Sequence, residues 1–206
     1  MTEFAINTAR GAARAHLSAP EEGRVRAALI LGHGAGGGVN APDIQAAQRA
    51  ALTQGLTVVL VEQPYRVAGR RAPPPAAHLD ATWTFVVDWL AERELAGMTL
   101  VTGGRSMGAR VACRTAAATG SAGVLCLAFP LQPPQRANTL RPAPSRLPEL
   151  EAVTVPVLII QGRGDRFGMP KSAPGRTVVT VAGDHGLKAD LPAVGDAVAD
   201  WLSGLL

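Results

Sequence analysis

The chain has 206 residues, of which 47% are hydrophobic and 17% charged. This balance excludes a disordered chain, and the length suits one domain, residues 1–206, with a full hydrophobic core. No apolar run approaches the length of a membrane span, and residues 1–4 do not begin a signal peptide, so neither is expected. The two cysteines, Cys113 and Cys126, fall in a predicted helix and a predicted buried strand, which favours free thiols and a cytoplasmic protein.

The formal net charge is +4, and all but two of the basic residues, Lys171 and Lys188, are arginines. No basic run is interleaved with exposed aromatic residues, so we expect neither a nucleic-acid partner nor a membrane partner. Nothing in the pattern of side chains calls for a metal or another cofactor. The oligomeric state stays open.

Short alternating segments in residues 3–19 predict an opening pair of strands joined near Arg10 and Gly11. Apolar runs then alternate with segments of helical periodicity to the end of the chain. The buried strands are predicted at 27–31, 57–61, 100–102, 124–129, 156–160 and 177–181, and the helices at 42–54, around 79–90, at 107–118 and at 190–202. This alternation predicts an α/β fold: a doubly wound, mostly parallel sheet with helices on both faces.

The strand at 100–102 leads into Gly104-Arg105-Ser106-Met107-Gly108, which has the spacing G-x-S-x-G. A strand that turns this sharply into a helix holds the serine in a strained conformation, and small residues two positions away avoid backbone collisions. The serine oxygen would then stand above the sheet beside a helix N-terminus. On its own the spacing is equally that of a glycine-rich turn with an incidental serine.

Asp165 and His185 follow later predicted strands, so the order along the chain is Ser106, Asp165, His185. Ligands of parallel sheets lie at the carboxyl ends of the strands, where these three side chains would meet. A serine needs a neighbouring base, a histidine can take and return the proton, and a carboxylate fixes the imidazole tautomer. Asp184 competes for the role of the acid, although adjacent residues such as Asp184 and His185 rarely point at each other.

The glycine-rich loop after the strand at 27–31 is predicted to supply one oxyanion donor, the N–H of Ala35, and the N–H of Met107 the other. We expect His33 to brace this loop by hydrogen bonds. His33 is also a candidate substrate contact, together with Gly34, Arg66, Arg105 and Leu131.

Arginines are frequent in the segments expected to rim the carboxyl ends of the strands. They are a solvated basic surface or a means of attracting an anionic acyl substrate. The full set comprises Arg66, Arg70, Arg71, Arg105, Arg136 and Arg141.

Together these motifs resemble the α/β-hydrolase superfamily, and within it the small, lidless branch near the dienelactone-hydrolase-like proteins, whose animal relatives include a subunit of a chromatin acetylation complex. The residues concerned are 33–37, 104–108, 161–165 and 183–185. The resemblance covers essentially the whole chain. It departs from the branch at Gln132 and Arg166, where histidine and proline are expected, and the serine nucleophile disfavours the reaction of true dienelactone hydrolases.

The resemblance implies an α/β-hydrolase fold with a minimal cap in residues 131–149, and a Ser-His-Asp triad that cleaves a small acyl ester through an acyl-enzyme. Two alternatives stay open. One is a thioesterase, acyltransferase or perhydrolase with the same triad. The other is a non-catalytic interaction module that retains the fold.

Overall fold

The computed structural model describes residues 1–21, 26–133 and 143–206. In these residues eight strands form one sheet in the order β1-β2-β4-β3-β5-β6-β7-β8. The strands are β1 (Thr2–Thr8), β2 (Gly11–Ser18), β3 (Ala27–Gly32), β4 (Thr57–Glu62), β5 (Thr99–Arg105), β6 (Gly123–Leu127), β7 (Val157–Gly162) and β8 (Arg176–Val181).

Strands β3 to β8 run parallel, whereas β2 pairs antiparallel with both β1 and β4. The six helices of the described residues are α1 (Pro42–Thr53), α2 (Pro64–Val67), α3 (Ala76–Ala91), α4 (Met107–Thr115), α5 (Leu147–Glu151) and α6 (Leu191–Leu205). The predicted α/β fold, with its opening hairpin and mostly parallel sheet, is confirmed.

Side chains of each central strand point alternately to the two faces of the sheet. Leu29 and Leu31 of β3 pack in the core beneath α1 and α6, while Ile30 packs on the other face with Trp83 of α3. Helices α4 and α5 continue that second face over β6 and β7. All six residues of β3 are buried, as a strand covered on both faces requires.

Some element boundaries differ from those predicted. Strand β6 ends at Leu127 because Ala128 has φ 51°, which interrupts the extended backbone. Helix α4 ends at Thr115 rather than at residue 118, and α6 continues to Leu205. Two short helices, α2 and α5, occupy segments predicted as a stiff loop and a cap, and both begin at or next to a proline. Within the described residues, no helix is both long and apolar enough to cross a membrane.

Candidate active site

Ser106 lies in the turn between β5 and α4, with φ 51° and ψ −102°. A Cβ at Gly104 would lie 2.5 Å from the carbonyl oxygen of Gly32, and one at Gly108 would lie 2.6 Å from the same atom. Both positions therefore require glycine, which lets β5 and α4 approach the end of β3 closely. A non-glycine residue at positive φ costs about 1–3 kcal/mol, and here the packed neighbours hold Ser106 in that conformation.

Three predicted side chains meet at the carboxyl edge of the sheet. His185 follows β8, and its Nε2 lies 2.9 Å from Oγ of Ser106. Its Nδ1 lies 2.8 Å from Oδ2 of Asp165, which follows β7. The carboxylate of Asp165 accepts a hydrogen bond from Nδ1–H, so Nε2 is left to accept the hydrogen bond of the serine hydroxyl. This is the arrangement in which a histidine can act as base toward a serine.

Asp165 is held by more than His185. Oδ2 also accepts a hydrogen bond from Nε2 of Gln161 at 2.8 Å, and Oδ1 accepts from the backbone N–H of Phe167 at 2.9 Å. The carboxylate is fully buried. The ring of Phe167 packs against the imidazole of His185, with centroids 4.3 Å apart. Both the acid and the histidine therefore have defined orientations.

Asp184, the competing acid, serves the turn that carries His185. Its Oδ1 accepts a hydrogen bond from the N–H of Gly186 at 2.8 Å, and its carbonyl oxygen accepts one from the N–H of Leu187 at 3.1 Å. The side chain closes the turn locally, whereas Asp165 is the carboxylate that contacts the imidazole.

Of the two predicted oxyanion donors, Met107 directly follows Ser106, and Ala35 follows Gly34, where an added Cβ would lie 3.8 Å from Cβ of Ser106. Met107 is the first residue of α4, so its N–H has no acceptor within the helix. On the other side, Nδ1 of His33 donates to the carbonyl oxygen of Gly34 at 2.9 Å, and Nε2 accepts from the N–H of Gln63 at 3.1 Å. In a trans peptide the N–H points opposite to the C=O. Fixing the Gly34 carbonyl therefore directs the N–H of Ala35 away from His33.

His33 itself is 1% exposed, and both ring nitrogens are engaged within the protein. Burial lowers the pKa of His33, so the ring is neutral at ordinary pH. Its expected role as a substrate contact is not supported by this position, because no ring nitrogen is left for a ligand. The side chain instead holds the loop against the end of β4.

Tyr65 of α2 holds the same loop from another direction. Its hydroxyl donates to the carbonyl oxygen of Ala35 at 2.9 Å and lies 3.9 Å from the sulfur of Met107. Burial raises the pKa of Tyr65 to about 12, so the hydroxyl stays protonated and remains a donor. His33 thus fixes the peptide between Gly34 and Ala35, which contains the Ala35 N–H, and Tyr65 fixes the next peptide.

Arg105 is predicted as a substrate contact, and the structure shows that its guanidinium also binds two protein groups. Its Nε lies 2.9 Å from Oδ2 of Asp43, a fully buried residue in the first turn of α1. Its Nη2 donates to the carbonyl oxygen of His185 at 3.0 Å. Burial raises the pKa of Asp43, and the charge of Arg105 opposes this rise. The guanidinium therefore binds protein groups and ties the His185 turn to α1.

The family model for the α/β hydrolase domain matches residues 25–190, which is most of the chain. The chain is an α/β hydrolase. It belongs to that family of hydrolytic enzymes, as the sequence motifs implied. No curated protein sequence matches this hydrolase.

Solved structures with the same fold share little sequence with this hydrolase. A lidless α/β serine hydrolase from Xanthomonas campestris is 21% identical, with a TM-score of 0.77 over 100% of this chain and 94% of that one. An α/β serine hydrolase homologue from Coxiella burnetii is 16% identical, with a TM-score of 0.77 over 98% and 97%. A dienelactone hydrolase from Anabaena variabilis is 17% identical, with a TM-score of 0.71 over 98% and 97%. The small, dienelactone-hydrolase-like architecture is confirmed.

The structure describes the surroundings of the remaining candidate contacts of the hydrolase. Gly34 is buried and lies beside Arg105. An added Cβ at Gly34 would lie 2.9 Å from Nη1 of Arg105. Arg66 is half-buried on α2 and donates from Nη1 to the carbonyl oxygen of Arg70 at 3.3 Å. Leu131 is half-buried near Gly168, on the side of the acid. Two arginines of the predicted rim, Arg136 and Arg141, lie outside the described residues.

Sequence reasoning assigned no role to Gln161, Asp43, Tyr65 or Phe167. Gln161 carried one available signal, since it is a polar residue at the end of an otherwise apolar strand. Phe167 lies two residues after Asp165, and its N–H donates to that carboxylate. Asp43 and Tyr65 reach the site only through tertiary packing, and their sequence neighbourhood gives no sign of it.

Proposed function

We propose that this α/β hydrolase cleaves a small acyl ester, with Ser106 as nucleophile, His185 as general base and acid, and Asp165 as the orienting carboxylate. One observation carries the proposal: the unbroken chain of hydrogen bonds from Ser106 Oγ through His185 to Asp165, at 2.9 and 2.8 Å.

In the first half of the reaction, His185 Nε2 removes the proton of Ser106 as Oγ attacks the carbonyl carbon of the ester. The imidazolium that forms is stabilised by the buried carboxylate of Asp165. His185 then gives its proton to the departing alcohol, which leaves an acyl group on Ser106. In the second half His185 deprotonates a water, whose oxygen attacks the acyl carbon. The bond from that carbon to Ser106 Oγ then breaks, the acid leaves, and His185 returns the proton to Oγ.

Each half passes through a tetrahedral intermediate with a negatively charged oxygen. The N–H of Met107 and the N–H of Ala35 are the proposed donors to that oxygen. Preorganised backbone donors of this kind contribute about 3–4 kcal/mol each to lowering the barrier. His33 and Tyr65 matter for the reaction because they hold the loop that presents the second donor.

A small substrate suits the surroundings of Ser106. Ser106 and His185 are both partly exposed, and the described segments beside them add only the short helices α2 and α5. Long acyl chains need an extended apolar cover. We therefore expect turnover to be fastest with short-chain esters and to fall as the acyl chain lengthens.

The decisive experiment treats the purified protein with a fluorophosphonate probe and assays short-chain nitrophenyl esters, with Ser106→Ala as the control. Labelling and turnover that both vanish in a folded Ser106→Ala variant support the proposal. A folded wild-type protein without labelling or turnover favours the interaction module. Labelling with faster transfer to thiols or alcohols than to water favours an acyltransferase.

We also propose a reducing, cytoplasmic location. The sulfurs of Cys113 and Cys126 lie 3.5 Å apart as free thiols in the core. The hydrogen bond with Cys113, together with burial, raises the pKa of Cys126, so this thiol stays protonated. Mass spectrometry of protein alkylated in denaturant immediately after cell lysis tests the proposal: two alkylated cysteines support it, and a native disulfide contradicts it.

A further inference from the structure

Tyr65 lines a cavity of about 620 Å³ near the edge of the sheet formed by β1 and β2. The hairpin turn between β1 and β2 closes one side, and α2 with the start of α3 closes the other. Arg14 of β2 pairs with Glu62 at the end of β4, so the turn at Arg10 and Gly11 projects past the carboxyl end of β4. The cavity therefore opens at the same edge of the sheet as Ser106.

Two arginines, Arg10 and Arg70, and one histidine, His78, line the cavity. Among the residues that the structure describes, no carboxylate lines it. Across residues 1–21, 26–133 and 143–206, neither arginine forms an ion pair. The carboxylates nearest in sequence to the lining residues are engaged elsewhere.

Those carboxylates are Glu62, which contacts His16 and Arg14, and Asp80, which contacts Arg114. Arg10 and Arg70 are exposed to solvent. A concave site lined by charges of one sign raises the local concentration of counter-ions. The cavity therefore favours an anion.

The rest of the lining indicates what kind of anion. Gln63 and Thr82 are polar yet only 4% and 5% exposed, and they form part of the lining. Apolar side chains, among them Pro64, Val67 and Pro74, form the walls. A site with basic residues, buried polar groups and apolar walls matches a compact organic acid better than a bare inorganic ion.

We propose that this cavity binds the carboxylate of a small organic acid, through Arg10 and Arg70. Tyr65 lines the cavity and donates from its hydroxyl to the carbonyl of Ala35 at 2.9 Å, so an occupant would adjoin the loop that carries the proposed oxyanion donor. An effect of the bound acid on catalysis, transmitted through Tyr65, rests on the proposed function. The binding itself does not. The carboxylate belongs either to an anionic ester substrate or to a separate acid.

Binding is tested by calorimetry with benzoate, and with benzamide as a neutral probe of the same shape. We expect benzoate to bind, benzamide to bind at least tenfold more weakly, and Arg10→Ala and Arg70→Ala each to weaken benzoate at least fivefold. Arg71→Ala is the matched control, because Arg71 is exposed like Arg10 and Arg70 but does not line the cavity. It should leave affinity within twofold of wild type. Equal binding of the two probes, or equal loss in Arg71→Ala, overturns the proposal.

The source of the carboxylate is tested by steady-state kinetics with a neutral nitrophenyl ester and with one whose acyl chain ends in a carboxylate. If the substrate supplies the carboxylate, Arg70→Ala raises KM for the anionic ester at least fivefold, leaves KM for the neutral ester unchanged, and benzoate competes. If a separate acid is the ligand, benzoate changes kcat for both esters, and this effect is lost in Arg70→Ala. Benzoate that binds without changing either constant overturns the coupling through Tyr65.

The two proposals fail in different ways. Suppose the protein binds benzoate through Arg10 and Arg70 but neither reacts with a fluorophosphonate nor turns over esters. This result supports the anion site and contradicts the esterase function. If the protein is labelled and active but does not bind benzoate, only the proposed anion site is contradicted.

Discussion

Arg105 donates a hydrogen bond from Nη2 to the carbonyl oxygen of His185, at 3.0 Å. His185 lies in a turn between β8 and α6, outside any helix or strand, so its backbone position depends on contacts of this kind. The other end of the guanidinium contacts the buried carboxylate of Asp43 at 2.9 Å. The residue directly before the nucleophile therefore positions the backbone of the base.

Arg105→Met should lower kcat about tenfold with little change in KM, because the His185 turn loses its anchor and small displacements of a catalytic group are costly. It should also destabilise the protein by about 3 kcal/mol, since the carboxylate of Asp43 is left buried without its partner. Steady-state kinetics and thermal unfolding measure the two effects separately.

The double variant Asp43→Asn/Arg105→Met separates positioning from stability. Without a buried charge it should recover most of the lost stability, and kcat should stay low. Recovery of kcat together with stability would show that Arg105 serves only to neutralise Asp43.

Gly34→Ala should lower kcat at least fivefold while costing less than about 1 kcal/mol of stability. The new Cβ would lie 2.9 Å from Nη1 of Arg105, the far end of a flexible side chain that can move away. That movement breaks the hydrogen bond from Nη2 to His185, while Nε keeps its contact with Asp43. The matched control is Gly36→Ala in the same loop, where no atom lies within 4 Å of the new Cβ and both quantities should stay near wild type. If the loss in unfolding free energy of Gly34→Ala is as large as the rise in activation free energy calculated from its kcat, this account is contradicted.

Tyr65→Phe removes the hydrogen bond to the carbonyl of Ala35. We expect kcat to fall about fivefold, the equivalent of one net hydrogen bond of about 1 kcal/mol. Because burial raises the pKa of Tyr65 to about 12, the hydroxyl remains a donor throughout the working range. The ratio of variant to wild-type kcat should therefore be constant from pH 6 to pH 10. A ratio that rises toward one below pH 10 would show that the phenol ionises earlier.

Sequence reasoning placed Asp165 and His185 beside Ser106 because all three follow parallel strands, and the carboxyl ends of such strands share one edge. Chain order and strand periodicity suffice for that placement. The same reasoning explains the fold, since each buried strand is an apolar run that ends at a turn residue.

The partners of Arg105 were not predictable in this way. Asp43 contacts Arg105 from the first turn of α1. The position of α1 against the turn that carries Ser106 depends on packing rather than on periodicity. A charged residue in a segment at the sheet edge suggested a solvated rim, yet Arg105 binds a carboxylate with no exposed surface. His33 is similar: its place in a glycine-rich loop suggested both a brace and a substrate contact. Only the three-dimensional positions of Gly34 and Gln63 show that both ring nitrogens are taken.

His33 should also impose a pH dependence on stability. Burial lowers its pKa in the folded protein, whereas the unfolded chain protonates near pH 6.5. Below that pH the unfolded state binds a proton that the folded state does not, so stability falls as the pH falls. The slope for this one group is at most about 1.4 kcal/mol per pH unit. His33→Asn lacks the proton, so its deficit in unfolding free energy relative to wild type should shrink between pH 7.5 and pH 5. Urea unfolding of both proteins across this range measures the difference, and a deficit that stays constant would show that His33 titrates alike in the two states.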